Sequence, residues 1–299
     1  MDTRPRLTPA MADVRRAVRS SLVELAAPHP GSPVLFLVAL SGGPDSLALA
    51  AATAFEAGRL VDVAAGAVIV DHGLQEGSAD VAANAAAQAR TLGLDPVIVK
   101  TVAVGTAGGP EAAARDARYA ALAEASIECG AAAVLLGHTL DDQAETVLLG
   151  LARGSGPASL TGMDYRSGIF IRPLLKIRRA TTARFCVDSG MQPWIDPHND
   201  DERFTRVRVR NRVLPTLEKE LGPGVAEALS RTAIQLREDA DALDLFARDQ
   251  LAELAEHAEA GISLPAKALA SNPPALRQRI IRMTVAAEFG LSLTRAHTL

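Results

Sequence analysis

Apolar positions along the chain switch repeatedly between helical spacing and unbroken runs. Residues 9–27 carry them at helical spacing. Pro33–Leu40 (PVLFLVAL) is a continuous apolar run, the mark of a strand covered on both faces. A helix follows over 47–58, a second strand over 61–70, and an Ala-rich helix over 78–94. Residues 96–104, rich in Val and Ile, read as a third strand, and 110–129 as a long helix with Pro in its first turn. A fourth strand over 132–136 leads into a helix over 140–151. Strand and helix alternate without a break. This predicts an α/β fold, a mainly parallel sheet with helices on both faces.

The pattern then loosens. Ile169–Leu175 fits a fifth strand and Arg178–Gly190 a helix, 192–206 is polar and irregular, and 207–221 is helical again. Gly222–Pro223–Gly224 is the clearest boundary in the chain. Beyond it, 225–259 reads as one long amphipathic helix, Asn272–Pro273–Pro274 as a break, and 275–289 as a helix. The tail is therefore expected to be a smaller all-α C-terminal domain. A chain of 299 residues suits two domains. The expected division is a catalytic domain over 1–216, with its core at 30–160, and a helical domain over 217–299.

Composition narrows the class. Apolar residues make up 48% and charged residues 22%, as in globular chains. No apolar run approaches the ~18 residues that a spanning helix needs, so no membrane partner is expected. The N-terminus lacks the apolar block of a secretory signal. Cys129 and Cys186 are the only cysteines, with no CxxC pair, which argues against thiolate zinc or iron–sulfur sites. Two lone thiols suit a reducing compartment, and a cytoplasmic location is expected.

Net charge is −4, yet it is unevenly spread. Residues 166–214 hold eleven Lys/Arg against five Asp/Glu, while both flanks are acidic. Such a segment is either a solvated, Arg-laced surface or a stripe that binds phosphate in a salt-dependent way.

Three loops at strand ends are chemically loaded, and all should lie on one edge of the sheet, where ligands bind. After the first strand comes Ser41–Gly42–Gly43–Pro44–Asp45–Ser46, after the second Asp71–His72–Gly73, and after the fourth Gly137–His138–Thr139–Leu140–Asp141–Asp142. In the first loop two glycines bring backbone N–H groups close to a ligand at a helix N-terminus, and two serines add hydroxyls. This is a cradle for phosphate or pyrophosphate. It is not a Walker A loop, because no GK[ST] follows. The plainer alternative is a tight turn capped by Asp45 or Ser46. A carboxylate beside phosphate is repulsive unless a cation intervenes, so Asp45 either caps the helix or helps to hold Mg²⁺. Thr139 and Asp142 have the spacing of a capping box. Alternatively, Asp142 and Glu145 share one helix face and grip an amine or a metal. Glu111 and Arg115 fit an ordinary i,i+4 pair.

SGGPDS resembles the SGGxDS loop of the PP-loop (N-type) ATP pyrophosphatases. VDHGL (70–74), Glu111/Arg115/Arg118/Tyr119, GHTLDDQAET (137–146) and RPLL (172–175) follow in order. The series ends with Trp194, Asp196, Asn199, Asp201, Arg206, Arg210, Leu214 and Pro215, and over about 180 residues it resembles the tRNA(Ile)-lysidine synthetase family. Val207 and His198 depart from that family's last motif.

The resemblance implies that ATP adenylates C2–O of the wobble cytidine (C34) in a CAU-anticodon tRNA(Ile). Free L-lysine then attacks C2 and expels AMP. It implies ATP and Mg²⁺ as cofactors. Ser41, Gly42, Gly43, Pro44, Asp45, Ser46, Asp71 and His72 would be ATP-binding, with Asp45 on the metal. Asp45, Arg115, His138, Asp142 and Glu145 would be catalytic, and Asp142, Glu145 and Arg206 would bind lysine. Arg172, Lys176, Arg178, Arg179 and Arg210 would face the tRNA. The helical tail is expected to help grip the tRNA, with a role in forming a homodimer or in packing equally open. A sulfur-transferring relative would need CxxC thiols that this chain lacks. A non-catalytic nucleotide-binding module would need neither Asp142 nor Glu145.

Overall fold

The computed structural model describes residues 7–27, 31–73, 77–103, 105, 109–154, 156–196, 201–258 and 261–298. Leu74, His198 and Asn199 of the motifs lie outside the described residues. Helix α1 (Pro9–Ala26) opens on Thr8, whose hydroxyl accepts the Met11 N–H. The strands are β1 (Val34–Ala39), β2 (Val63–Asp71), β3 (Val97–Thr101), β4 (Ala133–Leu135), β5 (Arg166–Ser167) and β6 (Phe170–Ile171). They form one sheet in the order β3-β2-β1-β4-β6-β5, parallel except for the β5–β6 pair. Crossovers run through α2 (Pro44–Ala57), α3 (Ser78–Thr91), α4 (Pro110–Cys129) and α5 (Leu140–Arg153), which the short α6 (Pro157–Leu160) follows.

The apolar run of β1 divides between two layers as its period of two requires. Phe36 and Val38 join a core with α1, α2, α3 and the later helix α7 (Arg179–Asp188). Leu37 and Ala39 join Leu122 and Ala125 of α4 on the other side. The sheet is thus covered on both faces, as expected for an α/β unit of this kind.

Three elements differ from the sequence pattern. The expected strand 169–175 stops at Ile171, because Arg172 turns inward, Pro173 cannot donate to a ladder, and Ile177 N–H closes a turn on Leu174. The helix expected from 207 begins earlier, as α8 (Thr205–Arg208), and passes through a π turn at Val209–Val213 into α9 (Leu214–Leu221). The helix expected over 225–259 is α10 (Val225–Leu254), and its place is then taken by a two-stranded hairpin, β7 (Glu256–Ala258) and β8 (Gly261–Ser263). Gly261 and Pro265 interrupt the helical pattern there. α11 (Ala266–Ser271) and α12 (Pro274–Phe289) follow.

The start of α10 packs on α5 and α9 through Ala226, Leu140, Ala144 and Leu214. Arg237 fastens it further, donating to the carbonyls of Thr161 (2.7 Å) and Gly162 (3.1 Å). Among the described residues, no helix is long and apolar enough to cross a membrane.

Candidate active site

The loops after β1, β2 and β4 meet at one sheet edge. A cleft of about 410 Å³ opens there, floored by Ala39, Leu40, Val68, Ile69 and Val70. Its polar wall is Ser41, Asp71, His72, Ser78, Arg118, Trp194 and Asp196. An apolar floor with a few convergent polar groups is the usual form of a nucleotide-sized site.

The first loop is tied to itself. The Ser46 hydroxyl donates to the Gly43 carbonyl (3.0 Å), accepts the Ser41 N–H (3.2 Å) and lies 3.1 Å from the Ser41 hydroxyl. Gly42 sits at φ +85°, where a side chain is strained, and its carbonyl accepts the Trp194 N–H at 2.9 Å. Gly43 is the N-cap of α2 and provides no side-chain cap. Capping by Asp45 or Ser46 is therefore set aside, and the first-turn amides keep the character of an anion site.

The third loop presses on the first. A Cβ on Gly137 would stand 3.1 Å from both N and Cα of Ser46, backbone atoms that cannot swing away. Gly137→Ala is expected to displace the cradle and weaken ATP binding roughly tenfold. Titration of ATP against the fluorescence of Trp194, the only tryptophan, checks this. Unchanged affinity would show the contact to be slack.

Asp45 turns away from the helix axis. It accepts the Thr182 hydroxyl and lies 3.5 Å from Arg179 Nε. Burial pushes its carboxyl up to about 6, against the pull of Thr182 and Arg179. Among the described residues no three-acid or His/Cys cluster exists to cage a metal. Asp45 at the anion cradle fits the one-carboxylate-plus-phosphate manner in which Mg²⁺ is commonly held.

Asp142 is a cap and also a member of an ion-pair cluster. Its Oδ2 accepts the Thr139 N–H (2.8 Å) and hydroxyl (2.7 Å), completing a capping box on α5. Its Oδ1 faces Arg179 Nη2 at 2.7 Å and Arg210 Nη2 at 3.5 Å. Glu145, one turn on and fully buried, meets Arg179, Arg206 and Arg210 at 2.8–3.0 Å. Burial alone would raise both carboxyls. The Arg179, Arg206 and Arg210 guanidiniums, with the Thr139 bonds to Asp142, outweigh it and hold both below the usual range.

His138 is held by Arg172, whose Nε donates to its Nδ1 at 3.3 Å. That network assigns the proton to Nε2. Burial, reinforced by Arg172, pulls the imidazole down to about 3, so it is a neutral donor at working pH. Arg172 also donates to the Asp164 carbonyl (2.7 Å) and the Tyr119 hydroxyl (3.4 Å) and is only 5% exposed. Arg115 is exposed and reaches this network only through Tyr119, 3.5 Å away.

Several expected positions change accordingly. Arg172 cannot lie on the tRNA face, because its guanidinium is consumed inside. Arg179 and Arg210 point into the Asp142–Glu145 cluster. Arg178 joins Asp141 (3.2 Å), Glu227 (2.9 Å) and Glu218 (3.5 Å), fastening α5 to α9 and α10. Of the five residues expected to face tRNA, only Lys176 is exposed. The net charge of 166–214 is answered by acids elsewhere in the chain, which a local charge count does not see.

Among the residues of the cleft that received no role from sequence are Arg118 and Trp194. Arg118, one turn beyond Arg115, lines it and has no ion-pair partner among the described residues. Burial, and then Arg118, lower the pKa of neighbouring His72, whose Nδ1 is buried without a hydrogen-bond partner among the described residues. Trp194 closes the rim. Their only sequence signal was membership of the motif series.

A family model described as a PP-loop domain matches residues 15–217. The chain is 63% identical over 276 residues to the tRNA(Ile)-lysidine synthase of Leifsonia xyli subsp. xyli, covering 92% of this chain and 83% of that one. It is 57% identical to the enzyme of that name from Thermobifida fusca (92% and 82% covered) and 50% identical to that of Mycobacterium bovis (93% and 83%). Among solved structures it is similar to a U34-tRNA thiolase, NcsA from Methanococcus maripaludis with its [4Fe-4S] cluster. That likeness has a TM-score of 0.62 and 20% identity, over 77% of this chain and 80% of that one, and it concerns the fold alone. Cys129 and Cys186 are free thiols. With the anion cradle, the cleft and the acid pair at one sheet edge, these matches show that the chain belongs to the tRNA(Ile)-lysidine synthase family of PP-loop enzymes.

Proposed function

We propose that the cleft binds ATP, with its phosphates on Ser41–Ser46 and its adenosine beside Asp71, His72 and Trp194, and that Asp142 and Glu145 receive the ammonium of L-lysine. The substrate is tRNA(Ile) with a CAU anticodon. O2 of C34 attacks the α-phosphorus, the α–β bridging bond breaks, and pyrophosphate leaves. The lysine amine then attacks C2, and the C2–O bond breaks with loss of AMP.

One observation carries this reading. Arg179 touches Asp45 at 3.5 Å, Asp142 at 2.7 Å and Glu145 at 3.0 Å. One guanidinium thus separates the phosphate cradle from the amine-binding acids, so the two half-reactions share a wall. Catalysis of this kind is positioning plus neutralisation of charge. The Ser41–Ser46 loop orients the pyrophosphate. Arg118, without an ion-pair partner among the described residues, supplies positive charge at the cleft. His138 offers an Nε2–H donor, and the lysine amine must lose its proton to a nearby carboxylate before it attacks. Asp45 would hold Mg²⁺ together with the phosphates, and the ion would supply neutralisation of charge on the leaving group.

The same reading divides the chain at 216/217 and places the enzyme in the cytoplasm with its tRNA. Lys176 contacts tRNA, and the tail assists that grip or pairs two copies. Incubation with ATP, Mg²⁺, labelled lysine and transcribed tRNA(Ile) tests the function. Label is expected in RNA only with C34 and ATP, and not in a C34U control. Pyrophosphate release without label would remove lysine as the nucleophile.

A further inference from the structure

The acids assigned to lysine already have partners. Glu145 Oε1 accepts Arg179 Nη1 (3.0 Å) and Arg210 Nε (2.8 Å). Its Oε2 accepts Arg206 Nε (2.9 Å) and Arg210 Nη2 (3.2 Å). A carboxylate offers about four acceptor directions, and here four donors fill them. Asp142 Oδ2 is spent on Thr139 and its Oδ1 on Arg179. An arriving ammonium finds no acceptor unless one guanidinium leaves.

The three arginines are not equally tied. Arg179 also faces Asp45, and its own N–H donates to Asp141 Oδ2 at 2.7 Å. Arg210 engages both oxygens of Glu145. Arg206 reaches only one of them, through Nε at 2.9 Å, its other hydrogen bonds go to neutral acceptors, the Asp142 carbonyl (3.2 Å) and the Thr146 hydroxyl (3.3 Å), and its Nη2 stands 3.8 Å from Asp142 Oδ1. It is also the most exposed of the three, at 30% against 24% for each of the others.

We propose that Arg206 is a specificity-determining residue that exchanges with the incoming amino acid, a role that rests on the assignment of lysine to Asp142 and Glu145. The lysine ammonium takes its place on Glu145, and the lysine carboxylate takes the released guanidinium. The Arg206 pairs with Glu145 (2.9 Å) and with Asp142 Oδ1 (3.8 Å) are given up and two ion pairs are made, and the geometry of the second suits the guanidinium fork. An amine without a carboxylate must expel Arg206 and gives it nothing in return, so the site selects an amino acid over a simple amine.

L-Lysinamide, which lacks only the carboxylate charge, is the probe. Calorimetry on the full chain with ATP measures dissociation constants for lysine and lysinamide, in the wild type and in Arg206→Met. Wild type is expected to prefer lysine by roughly tenfold or more. In Arg206→Met, lysinamide is expected to bind tighter than to wild type while lysine binds weaker, so that the gap closes. Arg206→Gln is expected to act in the same direction and replaces the Met variant if that one does not fold. Lysinamide binding that is unchanged or weakened in both variants overturns the exchange and leaves Arg206 a scaffold or a plain carboxylate clamp. Lysine binding indifferent to Asp142→Asn and Glu145→Gln would instead overturn the assignment of the acids.

Discussion

Glu145→Gln is expected to abolish lysine transfer and to destabilise the fold by about 3–5 kcal/mol, the scale of a buried ion pair broken from one side. The carboxylate is fully buried and gathers arginines from α7, α8 and the π turn onto α5. An amide keeps the shape but turns one oxygen into a donor facing guanidinium donors. Three positive charges would then share Asp142 and Asp45. By contrast, Asp13→Asn breaks an exposed pair with Arg16 (3.7 Å, 49% and 75% exposed). It is expected to stay within the ~0.5 kcal/mol of ordinary surface changes. Urea unfolding of the two variants checks the difference. In the cold, where the Gln variant remains folded, pyrophosphate release on adding tRNA is expected to persist while transfer of labelled lysine is lost. Equal losses of both steps would mean that the cluster is scaffolding alone.

Much of this site is legible in sequence because it is local. Pro33–Leu40 announces a strand buried on both faces, and the switch of period after it places Ser41–Ser46 at a strand-to-helix turn. Thr139 and Asp142 announce a helix start. Sequence poses capping and ligand binding as alternatives there, and the structure shows capping by one oxygen of Asp142 and arginine pairing by the other. What is not legible is the direction of charge. Arg179 and Arg210 lie in a basic segment and so read as surface, yet their partners stand 34 to 68 residues away. Arg172 is similar, with its guanidinium shared among His138, Tyr119 and the Asp164 carbonyl. Arg115 and Arg118 occupy the same face of α4 one turn apart, and only the depth of the cleft decides which of them lines it. The β7–β8 hairpin hides in a pattern that continues the period of α10.

Asp45→Asn is expected to stabilise metal-free protein at pH 8 while removing at least ~100-fold of the reaction, the scale of one lost electrostatic contact to the transferring group. The sign follows from burial. In the folded chain the carboxyl is pushed up to about 6, whereas in the unfolded chain it lies near ~3.9. The fold therefore prefers the protonated acid. Its contribution is fully present below pH ~4 and is lost as pH rises through about 6. At pH 8 the ionised group costs of the order of 2–3 kcal/mol, as two pKa units imply. Asparagine keeps an acceptor for the Thr182 hydroxyl and removes the charge. Melting temperatures measured with chelator present should separate the variant from wild type at pH 8 and bring the two close together at pH 4. A variant less stable than wild type at pH 8 would show that Arg179 and Thr182 outweigh burial and that the carboxylate is ionised throughout. A side chain that costs the fold stability and yet is needed by the reaction is what the proposed phosphate and cation role of Asp45 predicts, since a plain helix cap would have stabilised α2.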